Sequence, residues 1–201
     1  DSSTATTGLG NYPVFSNYNA NQITIGRTDD NSNNSFMPMY MSNFRVVNGI
    51  GVYTGNFTVP TSPLAATQSS GTNISAITTS SITNGSSALF PFSTSSLLVS
   101  NNYILNISYA DFTVEAYVFM NSLPTADTFA TGVYTFAGID GTTTDGIRFL
   151  IGQTQIFVQS QGNKYGSVLH GMQRLTWYHI AYVKISNMIY FYVNGVQLGS
   201  T

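Results

Sequence analysis

Hydrophobic and polar positions alternate with period two along much of the chain, most regularly from Trp177 to Gly195. There Trp177, His179, Ala181 and Val183 fall on one face of a strand, and Tyr178, Ile180, Tyr182 and Lys184 on the other. After a turn at Ile185-Ser186-Asn187, residues Ile189, Phe191 and Val193 share a face opposite Tyr190 and Tyr192. Asn194-Gly195 supplies the pair of positive-φ positions that a tight hairpin turn needs. Aromatics on both faces predict that both sides of this meander are covered, which calls for a second layer and so for a sandwich.

The same period recurs elsewhere. Gln22 to Arg27 alternates cleanly. From Met39 to Val47, residues Met41, Asn43, Arg45 and Val47 alternate against Tyr40, Ser42, Phe44 and Val46, and Asn48-Gly49 breaks the strand. Val52 to Phe57 leads into Pro60 and Pro63, which forbid regular pairing. Asp111 to Met120 sets Phe112, Val114, Ala116 and Val118 against Thr113, Glu115, Tyr117 and Phe119. Val133 to Ile139, Gly146 to Ile151 and Gln155 to Gln159 continue at the spacing of an all-β sandwich. Shorter strands are predicted at Tyr12 to Ser16, Ala88 to Phe92 and Ser96 to Val99, with Pro91 placing the second of these at an edge. Residues 28–35 form a polar loop, 64–71 a small-residue linker, and 73–87 either short edge strands or irregular coil. No amphipathic helix is found, so the class is all-β.

Composition narrows the setting. With 201 residues the chain can make one full sandwich or two small domains. Charged residues are only 7%, against roughly 25% in ordinary soluble domains. The polar surface is therefore built from hydroxyls and amides. A net charge of −2 provides no footprint for nucleic acid or an anionic membrane. The apolar runs are far short of the ~18 residues of a membrane helix, so no membrane insertion is expected. There is no cysteine, hence no disulfide framework and no thiolate metal site. The chain begins at Asp1 without a visible signal peptide, which predicts a processed mature protein or an excerpt of a longer one.

Four runs carry a resemblance: Asp111-Phe-Thr-Val-Glu-Ala-Tyr-Val, Asp145-Gly-Ile-Arg-Phe, Trp177-Tyr-His-Ile-Ala-Tyr-Val-Lys, and Ile189-Tyr-Phe-Tyr-Val-Asn-Gly-Val. They resemble the laminin-G-like, concanavalin A-like jelly-roll family, in the form found in phage virion proteins and bacterial surface proteins. Tyr117 stands where the family usually has Trp. The family's closing motifs also occur, in Gln22-Ile-Thr-Ile-Gly, Met41-Ser-Asn-Phe-Arg-Val-Val-Asn-Gly and Val52-Tyr-Thr-Gly-Asn-Phe-Thr-Val-Pro, but at the N-terminus instead of the C-terminus. The resemblance implies a two-sheet antiparallel jelly roll whose strand order is permuted or completed by a neighbouring subunit. Residues 1–64 would supply the closing strands, 65–72 a linker and 73–201 the main part. A half-built sandwich leaves open edges, so the closing strands are expected to find partners. These partners would lie in the same chain, in the next unit of a tandem array, or in a neighbouring subunit of a head-to-tail homopolymer. The assembly positions are Ile23, Ile25, Phe44, Val46, Tyr53 and Phe57.

Catalytic chemistry finds little foothold. Asp111 and Glu115 share a strand face, but four residues at ~3.3 Å place them ~13 Å apart, whereas paired glycosidase carboxylates lie roughly 5 to 9.5 Å apart. Glu115 beside a buried sheet reads as a hydrogen-bond acceptor for Tyr or His. His179, inside the aromatic meander, reads as a core residue, and no nucleophile motif accompanies it. No catalytic residue is assigned and no cofactor is expected, with calcium the one candidate metal that the resemblance implies. Oxygen ligands for it would come from Asp29, Asp30 and Asn31, or from Asp140 and Asp145, tracts that read equally well as solvated turns. Tyr12, Tyr18, Tyr53, Tyr103 and Tyr165, in loops or at strand ends, are candidates for stacking on a glycan. The expected function is that of a non-catalytic structural subunit of an extracellular or virion fibre or surface adhesin, pairing with copies of itself through β-strands. A carbohydrate-binding, lectin-like module is the alternative, and a glycoside hydrolase-like enzyme a distant third.

Overall fold

The computed structural model describes residues 22–26, 39–61, 67–68, 77–78, 88–90, 97–100, 111–127, 133–139, 147–160 and 163–201. In chain order the strands are β1 (Gln22–Ile25), β2 (Met39–Asn48), β3 (Thr67–Gln68), β4 (Ile77–Thr78), β5 (Ala88–Phe90), β6 (Leu97–Ser100) and β7 (Phe112–Met120). Then follow β8 (Tyr134–Ile139), β9 (Ile147–Ile151), β10 (Gln155–Ser160), β11 (Asn163–Leu169), β12 (Trp177–Ile185), β13 (Met188–Val193) and β14 (Val196–Ser200). No helix occurs among the described residues.

Two six-stranded antiparallel sheets result, one in the order β11-β10-β9-β8-β1-β6 and the other β14-β13-β12-β7-β2-β5, with β3 and β4 as a separate pair. This is the two-sheet jelly roll predicted. Alternation along β7 and its neighbours sends Phe112, Val114, Ala116, Val118 and Met120 inward beside Ile180, Tyr182, Ile189 and Phe191. Phe136, Phe149, Ile151, Ile156 and Val158 of the facing sheet meet them. Each fully buried Val, Ile, Phe or Met side chain among them contributes about 1.5–3 kcal/mol. At the centre the Tyr182 ring lies 5.1 Å from Phe149, 5.5 Å from Phe136 and 5.8 Å from Phe191, and its hydroxyl donates to the Leu150 carbonyl at 2.9 Å. That bond is what makes a buried phenol tolerable.

The N-terminal strands are paired inside the chain. β1 lies between β6 and β8, and β2 between β5 and β7. Ile25, Phe44 and Val46 are buried in the core, and Ile23 pairs with both Val99 and Ile139. Tyr53 and Phe57 differ from the expectation for assembly strands. Residues 50–53 and 56–60 are neither strand nor helix, because this segment crosses over the outer face of the β14-β5 sheet. β3 falls in the stretch read as a linker. β11 was not predicted, since Lys164, Tyr165 and Ser167 break the apolar alternation and Gly166 takes φ 66°. The stretch from Tyr12 to Ser16 lies outside the described residues.

One local feature re-phases β2. Ser42 pairs with Tyr117 and Arg45 with Glu115, so Asn43 and Phe44 together face Ala116 alone. This is a β-bulge, and its first residue, Asn43, sits at φ 53°. Simple alternation placed Arg45 on the face of Met41. The extra residue instead turns Phe44 and Val46 into the core and Arg45 outward. Asn is among the few residues that tolerate the left-handed region. Asn43→Gly is therefore expected to leave the urea midpoint within a few tenths of a molar of wild type, while Asn43→Val lowers stability by about 1–2 kcal/mol at unchanged m-value. Equal midpoints for the two variants would show that the bulge is not strained.

Candidate functional site: a strapped aromatic face

The outer face of the β14-β5 sheet carries Thr113, Glu115 and Tyr117 of β7 and His179, Ala181 and Val183 of β12. Residues 49–61 lie across it as a strap. Val52 N donates to Thr113 Oγ1 at 2.8 Å, Phe57 N to the Gly195 carbonyl at 2.8 Å, and the Tyr117 hydroxyl to the Pro60 carbonyl. The strap answers with Asn56 Oδ1, which accepts the Gln197 N–H at 2.8 Å. Close approach depends on glycine. A Cβ on Gly195, at φ 76°, would stand 2.0 Å from the Phe57 oxygen. Val52 and Tyr53 join Val47, Ala181, Val183 and Tyr192 in a second apolar cluster, and the Tyr53 and Phe57 rings stack with centroids 3.5 Å apart. Both faces of the meander are thus covered, one by a sheet and the other by a strap.

Glu115 sits under the strap at 0% exposure. Arg45 Nε donates to its Oε1 at 2.6 Å, and Arg45 Nη2 also reaches Oε1. Tyr53 Oη donates to Oε2 at 2.8 Å, and His179 Nε2 donates to the same oxygen at 2.9 Å. A carboxylate oxygen only accepts, so Nε2 carries a proton. His179 Nδ1 has no hydrogen-bond partner among the described residues. Burial alone would raise the Glu115 carboxyl, but the hydrogen bond from His179, the Arg45 charge and the Tyr53 hydroxyl outweigh it and hold the group below its ordinary range. Tyr53 moves the other way: burial first, then the Glu115 charge, push its phenol far upward.

Two further clusters brace loops. Asp127 accepts from Thr154 N at 2.8 Å, Thr154 Oγ1 at 2.6 Å and Gln155 N at 3.1 Å. Buried His170 accepts the Met172 N–H on Nδ1 at 2.8 Å and donates from Nε2 to the Gly152 carbonyl at 3.1 Å. Burial depresses its basicity, against the opposing effects of the Gly152 bond and Asp127.

Beside the strap runs an open groove of about 420 Å³ lined by Ser42, Asn43, Pro60, Thr61, Tyr117 and Trp177. Trp177 is 44% exposed. Its ring packs 5.6 Å from Phe119, which meets Tyr40 edge-on at 5.8 Å.

The expected hydrogen-bonded roles of Glu115 and His179 hold, with Arg45 as the partner that alternation misplaced. Asp111 and Glu115 do not act together: Asp111, just before β7, accepts the Ser186 N–H at 2.6 Å, and Glu115 lies within the strand. Tyr53 is corrected: at 3% exposure it is a network member and no stacking platform. Tyr165 is half-buried on β11 of the other sheet. Tyr12, Tyr18, Tyr103, Asp29, Asp30, Asn31, Asp140 and Asp145 lie outside the described residues, and among the described residues no group of three or more His, Cys, Asp or Glu could hold a metal. Trp177 was missed as a surface residue because alternation placed it with buried His179 and Ala181. The available signal was its place at the open end of β12, directly after polar Thr176.

With this geometry in place, comparison with known families shows the class. A family model described as the concanavalin A-like lectin/glucanases superfamily, of laminin-G-like type, matches residues 92–201, just over half of the chain. The chain belongs to this superfamily. No curated protein and no solved structure gives a match. The matched span holds β6 to β14, while β1, β2, β5 and the strap lie N-terminal to it, and β1, β2 and β5 add strands to the two sheets.

Removing one member of the network leaves a buried charge uncompensated. Arg45→Met is expected to cost about 3–5 kcal/mol, read from urea unfolding, and a loss under about 1 kcal/mol would show the pair to be dispensable. The pH dependence has a definite sign. Glu115 and His170 both have folded values below their unfolded ones, so the unfolded chain binds more protons in each window and stability rises with pH there. Stability should therefore decline as pH falls below about 6.5 and again below about 4.3. His170→Gln should flatten the first decline and Glu115→Gln the second. Denaturation midpoints measured from pH 8 to pH 3 test both, and parallel curves for wild type and variants would refute the assignment.

Proposed function

We propose that the chain is a non-catalytic structural module, a subunit of an extracellular or virion fibre or surface adhesin that assembles through β-strand pairing between complete sandwiches. The observation that carries this reading is the asymmetry of the sandwich edges. On one side β14 and β11 are pinched together, with Gly199 against Val168 and Gly166 against Thr201. On the other side, among the described residues, the sheets end in β5 and β6, Ala88–Phe90 and Leu97–Ser100, and neither strand carries a charge. Charged residues are the usual guard against edge-to-edge pairing. Support for a non-catalytic role comes from Glu115, whose two oxygens are bonded under the strap and out of reach of a substrate. A carbohydrate-binding role is the second reading, favoured by the solvent-facing ring of Trp177 beside a groove.

Sedimentation velocity over a hundredfold concentration range should show the mean mass rising with concentration. Lysine at the open edge, as Ala88→Lys and Ser100→Lys, should return the protein to monomer. A wild-type protein that stays monomeric throughout, or assembly that ignores both lysines, overturns the edge-pairing reading. Release of reducing ends from a polysaccharide by the purified chain would overturn its non-catalytic part.

A further inference from the structure

We propose that the row of rings Trp177, Phe119 and Tyr40, with the groove beside Trp177, binds a proline-rich polypeptide segment in the polyproline II conformation. The rings stand side by side across the sheet because Trp177 of β12 pairs with Phe119 of β7, and Phe119 with Tyr40 of β2. Their centroids are 5.6 and 5.8 Å apart. Trp177 is 44% exposed and Tyr40 36%, while Phe119 between them is half-buried. The row therefore offers two ring platforms on strands two spacings apart, ~9.5 Å. A polyproline II helix has three residues per turn and rises ~3.1 Å per residue, so it repeats every ~9.3 Å. Prolines at positions i and i+3 match the two platforms, and stacking of such helices on aromatic-lined grooves is a general mode of peptide recognition.

Hydrogen bonding and charge favour the same partner. The floor of the row is β7, paired with β2 on one side and β12 on the other, so its backbone groups are engaged and no strand can be added there. A β-strand laid on it would bring N–H groups that need acceptors, whereas proline has no N–H and a polyproline II chain makes no internal hydrogen bonds. Its carbonyls need only donors. The lining of the adjoining groove of about 420 Å³ supplies them in the Trp177 indole N–H, the Ser42 and Thr61 hydroxyls and the Asn43 amide. None of the six lining residues carries a charge, nor do Tyr40 and Phe119, so an uncharged segment complements the surface while a charged one would lose hydration without gaining a counter-charge. Both sides are also fixed before binding: the Tyr117 hydroxyl is tied to the Pro60 carbonyl, Asn43 is held at φ 53° by the bulge, and the ligand helix is preformed. Fixed partners reduce the ordering cost of association.

Trp177 is the only tryptophan and a proline peptide has none, so emission reports on this row alone. Titration with L-decaproline should give a saturable change in intensity or wavelength. D-decaproline, of the same composition and opposite hand, and a glycine-serine decapeptide, neutral but without a preformed helix, should each bind at least ~10-fold more weakly, about 1.4 kcal/mol. Retention on immobilised L-decaproline should fall by a similar factor in both Trp177→Ala and Tyr40→Ala, while Leu169→Ala, 70% exposed on the other sheet, should keep it. Where an aromatic variant unfolds, the wild-type comparison of the two hands decides. No emission change with L-decaproline overturns the proposal, as does an equal response to D-decaproline. Retention that is equal in wild type and Trp177→Ala overturns the site, and loss in Trp177→Ala with none in Tyr40→Ala overturns the fit to two platforms. A response to cellohexaose with none to decaproline overturns the proposal in favour of a glycan. An emission change that follows protein concentration alone marks the row as a contact between copies and also overturns it.

Discussion

A carboxylate withdrawn from water is tolerated only when donors surround it, and Glu115 imposes that condition on three separate parts of the chain. Desolvation of such a group costs several kcal/mol. Arg45 from β2, Tyr53 from the strap and His179 from β12 offset it together. Arg45 and Tyr53 lie 70 and 62 residues before Glu115 in sequence, and His179 lies 64 after it. The brace therefore fastens the N-terminal strands and the strap to the central β7-β12 pair. Loosening any one donor exposes the others to the full cost, which is why the strap behaves as part of the core and not as a surface loop.

The brace depends in turn on the bulge at Asn43. Without the extra residue β2 would turn Arg45 into the apolar space between the sheets, where no carboxylate awaits it, and Glu115 would lose its counter-charge. The same residue lines the groove beside Trp177. One backbone irregularity thus places an internal ion pair and shapes an external surface. Its position next to a candidate binding groove fits the tendency of bulges to re-aim side chains near sites.

Period-two patterning revealed the strands because both sheets bury one face against the other, and Phe112 to Met120 and Trp177 to Val193 follow it closely. It failed where the backbone departs from a regular pleat. The bulge inverted the predicted face of Arg45, and the strap looked like a last strand because Val52, Tyr53 and Phe57 are as apolar as any strand residue. Gly51 and Gly55 and the prolines were the contrary signal. Gly51 in particular has no room for a side chain beside Ile185. Of the site, Glu115 and His179 were legible from their place on a half-buried face. The Arg45–Glu115 contact was hidden, because it joins residues far apart in sequence through an irregular register. Trp177 was hidden by its company, since only three-dimensional position shows its ring exposed beside residues 60–61 of the strap.

Charge placement bears on what such a surface can recognise. Of fourteen charged residues in the chain, Arg45, Glu115, Arg148 and Lys184 are buried, so an already charge-poor protein spends part of its charge internally. Long-range steering by a field is weak under these conditions. Association then depends on short-range fit: ring faces, hydroxyls, amides and strand backbone. Among the described residues, the β5-β6 side and the Trp177 groove both offer such groups, and they differ in kind. An edge strand presents a repeating ladder that suits another strand, whereas the groove presents isolated polar groups around a flat ring. A self-association role and a ligand role can therefore coexist on one sandwich without competing for the same atoms.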